Sequence, residues 1–114
     1  MTTITLLNKI GMSTGMMGYY YLAELIDRRR RALCGPTKSL RNYRMGDEYK
    51  AVAEAFDTTP SAVERCCRTA IKQAYSVPRG EAVLKEIAVY DNETLPNNKA
   101  FICFVADYLG KQEV

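Results

Sequence analysis

The chain has 114 residues, enough to bury one hydrophobic core, and its 47% hydrophobic and 25% charged residues are the balance of an ordinary globular domain. It has no histidine, which removes every nucleophile–His–acid arrangement, and no Cys-x-x-Cys pair, so neither an enzyme nor a metal or other cofactor is expected. Net charge is only +3, yet residues 28–80 hold twelve bases against five acids, a concentrated positive field suited to a polyanionic partner.

No stretch approaches the roughly 18 apolar residues that span a bilayer, and residues 1–10 lack the cleavage site of a secretory signal. A cytoplasmic protein with no membrane partner is expected. Its four cysteines, Cys34, Cys66, Cys67 and Cys103, are accordingly expected to be reduced and buried in packing.

Thr3 to Ile10 reads as a short amphipathic helix with Ile4, Leu7 and Ile10 inward, stopped by Gly11. A glycine-rich turn follows, in which Ser13 or Thr14 suits a helix cap. From about Met16 to Leu33 the pattern is a long helix whose stripe is Tyr19, Leu22, Ala23, Ile26 and Leu33. Arg28 to Arg31 load its last turns, and two roles stay open for them: stabilising the negative end of the helix dipole, or contacting phosphates. Cys34-Gly-Pro36 breaks that helix. Residues 37–44 then form a basic helical turn and a loop ending near Gly46.

The informative segment runs from Asp47 to Ser76. Glu48 to Phe56 places Tyr49, Val52, Ala53 and Phe56 on one helical face, with the small Ala53 where two crossing helices approach most closely. Asp57-Thr-Thr-Pro-Ser61 makes a tight connection. Thr59 or Ser61 can cap the next helix, and Pro60 suits its first turn. At about 100° per residue from Ala62, Val63, Cys66, Cys67, Ala70, Ile71 and Ala74 fall on one arc, and Ser61, Glu64, Arg65, Arg68, Thr69 and Lys72 on the other. Beyond it, residues 77–80 end the helix and Glu81 to Val89 form another. Asp91 to Asn98 form a loop, and a last helix runs from an Asn98 cap to about Leu109 with Phe101, Ile102, Val105 and Leu109 inward. Residues 87–95 are the one place where a strand or wing-like hairpin is allowed.

This is the pattern of a helix-turn-helix whose second helix, about residues 61–76, reads the major groove. An arginine fork matches guanine O6 and N7, and a glutamate accepts from cytosine N4. The expected fold is a single all-α domain over residues 1–114, a compact bundle of about six helices. Expected DNA-binding residues are Ser61, Glu64, Arg65, Arg68, Thr69 and Lys72, with Thr59 and Lys38.

Along these residues the chain resembles a known family, the C-terminal effector domain of the master response regulator that initiates sporulation. Thr58-Thr59, Val63-Glu64-Arg65, Arg68 and Ala70-Ile71 resemble its recognition helix. Ile10-Gly11 and Gly18-Tyr19-Tyr20-Tyr21-Leu22 resemble its first turn and second helix. Pro96-Asn97-Asn98, Phe101-Ile102 and Val105-Ala106-Asp107-Tyr108-Leu109 resemble its final helix. The resemblance implies a six-helix domain on promoter DNA, often as tandem copies, with Glu64, Arg65 and Arg68 at base edges or nearby phosphates. The chain departs from the family at Ala62, where the pattern has arginine, and at residues 41–48, which resemble an insertion. No receiver domain precedes Met1, so a stand-alone regulator is expected. A second reading is an interaction module of the same fold that antagonises a related regulator; Met16, Met17 and Tyr19 to Tyr21 could serve it as a docking patch, although core packing is the expected fate of most of them.

Overall fold

The computed structural model describes residues 1–87 and 95–112, and among them every regular element is an α-helix. There are seven: α1 (Thr3–Ile10), α2 (Met17–Cys34), α3 (Thr37–Arg41), α4 (Met45–Ala55), α5 (Pro60–Tyr75), α6 (Pro78–Glu86) and α7 (Asn98–Gln112). The count exceeds the expected six because residues 37–41 close a full helical turn of their own. None of the described helices is long and apolar enough to cross a membrane.

Helix α2 is the centre of the bundle, with α1, α3, α4, α5 and α7 packed on it, while α6 bridges α1 and α5. The core is built from Leu6, Leu7 and Ile10 of α1, Leu22, Leu25 and Ile26 of α2, Val63 and Ile71 of α5, and Phe101, Ile102 and Leu109 of α7. Close approach of α2 to α5 depends on Gly18. A Cβ there would run into the carbonyl oxygen of Cys66 and lie 2.7 Å from Ala70 Cβ.

Several helix boundaries and faces depart from the sequence pattern. In α1, Thr3 is buried and Ile4 is exposed. The Thr3 hydroxyl donates to Asp27 Oδ1 at 2.5 Å and accepts from Arg30 Nη1 at 3.4 Å, so a satisfied polar group takes the inward register. Neither Ser13 nor Thr14 caps α2. Met16 holds that place with no side-chain bond, while Ser13 Oγ accepts from the Gly15 amide inside the turn. The segment expected to be a loop up to Gly46 ends earlier, since α4 starts at Met45 with Asp47 and Glu48 in its first turn, where carboxylates meet the positive end of the helix dipole. Phe56 is exposed, although its ring meets Tyr21 edge-on at 5.2 Å.

Pro78 does not end a chain segment; it opens α6 three residues earlier than expected, as a residue with no N–H can at a first helical position. Asn97, not Asn98, caps α7, its Oδ1 accepting from the Ala100 amide at 2.8 Å. The Val89 terminus and nearly all of the hairpin allowed at 87–95 lie outside the described residues.

The cysteines also divide. Cys67 is buried, Cys66 and Cys103 are half-buried, and Cys34 is exposed just where α2 gives way to α3. The expectation of four buried thiols is therefore met in full only at Cys67 and fails outright at Cys34, which stands at the exposed last residue of α2.

Candidate nucleic-acid interface

Helices α4 and α5 form the two arms of the helix-turn-helix. Val52 and Ala53 of α4 and Val63 and Cys67 of α5 are buried. The chain reverses through Asp57, which adopts a left-handed conformation with φ 55°, one that aspartate tolerates better than most residues. The Thr58 amide then donates to the Ala53 carbonyl at 2.9 Å. Thr59 Oγ1 accepts from the Ala62 amide at 3.1 Å and Pro60 follows at the first helical position, so α5 starts as its sequence dictates.

The outward face of α5 carries Ser61, Glu64, Arg65, Arg68, Thr69 and Lys72, all exposed, with Ala62 half-buried at its margin. Glu64 Oε1 and Arg68 Nη1 form an ion pair at 3.5 Å, both side chains more than half exposed, so the pair is weak in water and open to competition. Thr69 Oγ1 donates to the Arg65 carbonyl. The guanidinium of Arg65 and the amine of Lys72 make no hydrogen bond or ion pair among the described residues. Thr59, by contrast, has its hydroxyl committed to the cap.

Lys38 is not brought to this face. It stands on α3, which packs on α2, beyond the end of α2 opposite Gly18, roughly 24 Å along the helix axis at 1.5 Å per residue.

The four arginines of α2 are internally engaged. Arg28 grips Glu48 with Nε at 2.8 Å and Nη2 at 3.3 Å, and Arg29 lies 4.7 Å from the centre of the Tyr43 ring. Arg30 reaches Thr3, and Arg31 pairs with Glu24 at 3.2 Å. Tyr43 and Glu48 belong to the 41–48 segment, so that segment is pinned to the basic end of α2 by two of its cations.

A groove of about 460 Å³ runs beside α5, and nothing in the sequence announced it. One wall is Glu64, Arg68 and Lys72; the other is Leu95 to Lys99, with Tyr49 and Ile71 completing its lining. Asn98 holds the walls together. It is buried, and its Nδ2 donates both to the Glu64 carbonyl at 3.0 Å and to the Tyr49 hydroxyl at 3.2 Å, joining α7 to α5 and α4. Burial pushes the Tyr49 phenol above its ordinary range. A surface of cations and neutral donors of this kind suits a phosphodiester backbone and exposed base edges.

The sequence model of the family described as Sporulation initiation factor Spo0A C terminal matches residues 3–109, a span that takes in α1 to α6 and all but the last turn of α7. With a helix-turn-helix at its centre and the match running through nearly every element, this chain belongs to the sporulation initiation factor Spo0A C-terminal family, a family of DNA-binding effector domains.

Proposed function

We propose that this protein is a sequence-specific DNA-binding transcription regulator that lays α5 in the major groove of a promoter site. The observation that carries this reading is the outward face of α5, where exposed Arg65 has no partner among the described residues and stands beside the loose Glu64–Arg68 pair. Recognition helices meet base edges through their N-terminal turns; Glu64 and Arg65 lie in the first half of α5, and Arg68 is the first residue past its midpoint. Arg65 and Arg68 are assigned to base edges, and Glu64 to a cytosine or to steering Arg68. Ser61, Thr69 and Lys72 are assigned to flanking phosphates, and Thr59 to fixing the helix N-terminus. Lys38 is assigned a separate phosphate contact, away from α5. Adjacent copies of the chain on one promoter fit the same reading.

The experiment is a site selection from randomised duplexes followed by gel shifts across a salt series. Affinity should fall steeply as salt rises, because neutralised phosphates release counterions. Arg65→Ala should cost about 1–3 kcal/mol on the selected site and much less on random DNA. Equal losses on both would make Arg65 a phosphate anchor, and no binding at low salt would overturn the reading.

A further inference from the structure

We infer that the groove between α5 and residues 95–99 seats a backbone phosphate of the bound duplex, with Lys99 as the donor that faces the recognition helix. The inference deepens the DNA-binding reading and rests on it. Three cations, Arg68, Lys72 and Lys99, line this groove against one acid, Glu64, which is already paired with Arg68. Lys72 and Lys99 make no ion pair among the described residues, so no described acid neutralises either amine directly. The Tyr49 hydroxyl accepts from Asn98, which leaves its own proton free to donate; a phosphodiester oxygen needs such donors and offers none. A groove holding these groups and abutting a recognition helix places them along the strand that borders the major groove.

The position of Lys99 is fixed by its neighbours. Asn97 caps α7 through the Ala100 amide, and Asn98 is bonded to the backbone of α5 itself. The backbone of the next residue is therefore held at a set place on the groove wall, within reach of the space that Arg68 and Lys72 also line, on a helix that the sequence assigns only to the core. Lys99 itself is exposed, so its removal leaves packing untouched.

The test compares the parent protein with Lys99→Ala and Lys99→Arg on the selected duplex. Each phosphate contact contributes about −0.9 to the slope of log affinity against log salt. Lys99→Ala should flatten that slope by about one. Between about 50 and 200 mM salt it should therefore lose about 3.5-fold less affinity than the parent. Lys99→Arg should keep the parental slope, and the base preferences of all three should agree. A duplex with a single neutral methylphosphonate, scanned along the strand, should weaken the parent at one linkage where Lys99→Ala is indifferent. A parent that binds DNA while Lys99→Ala retains its full slope and its methylphosphonate profile overturns this inference alone. A parent that binds no duplex overturns the DNA-binding reading as well.

Discussion

Replacing Asn98 by alanine would leave the Tyr49 hydroxyl and the Glu64 carbonyl without the amide that now joins them. A buried amide that joins three helices is worth more than its own area, because its loss removes two hydrogen bonds that link α7 to α5 and α4. Asn98→Ala should cost about 1–3 kcal/mol in urea unfolding. Asn98→Asp should do no better, since an ionised carboxylate cannot donate and would face a carbonyl oxygen. A variant within a few tenths of a kcal/mol of the parent would mean that these two bonds add no net stability. The sequence offered Asn97 and Asn98 as neighbours with the same side chain. Which one caps and which one turns inward depends on where α4 and α5 stand, and so on contacts 34 and 49 residues away in the chain.

At the scale of elements, helix interiors follow apolar periodicity closely, whereas helix starts do not. The recognition helix is the exception that shows why: Thr59 and Pro60 carry their own start signals, and α5 begins where they say. The starts at Met45 and Met17 have no side-chain cap to advertise them, and Pro78 reads equally as a stop or a first residue until Gly80 is seen against the Ala74 and Ile10 carbonyls. Gly18 marks the packing that matters most for presenting α5. Gly18→Ala would set a methyl group against the backbone of Cys66, which cannot swing aside as a side-chain tip can. Overpacking of this kind costs about 1–3 kcal/mol, and the urea midpoint should drop accordingly. Gly110→Ala is the matched control. It sits in α7 with nothing within 4 Å of the added carbon, and there alanine should raise stability by about 0.5–1 kcal/mol. If the two substitutions move the midpoint alike, α2 and α5 are not in the contact described.

For the whole molecule, the basic segment 28–80 is two surfaces rather than one. Arg28 to Arg30 are half-buried against partners within the fold and Arg31 holds an exposed pair with Glu24, while Arg65, Arg68 and Lys72 remain outward. Burial also sets how stability should change in alkali. It pushes the Cys67 thiol from 9.0 up to about 12 and the Tyr43 phenol from 10.0 to about 12. Both groups are neutral when protonated, and the folded chain holds their protons to higher pH than the unfolded chain does. Their stabilising contribution is thus complete below about pH 9 and is lost progressively from there to about pH 12. Urea midpoints should be level through neutral pH and fall above about pH 9. A midpoint that holds constant to pH 11 would show that neither group is buried as described. In the native protein, exposed Cys34 should react first with a thiol reagent and Cys67 last.

By itself the sequence determined the helical class, the helix-turn-helix and the polar face of α5. Each of these is local: a 3.6-residue period, a Thr-Pro start and the spacing of Glu64, Arg65, Arg68 and Lys72 are written in consecutive residues. Only the tertiary structure decided which cations stay free, that Ile4 yields the core to Thr3, and that residues 95–99 form the second wall of a groove on α5. Those outcomes turn on pairs such as Arg28 with Glu48 and Asn98 with the Glu64 carbonyl. No periodicity records such pairs, because each is made by helices that meet only after the chain has packed around α2.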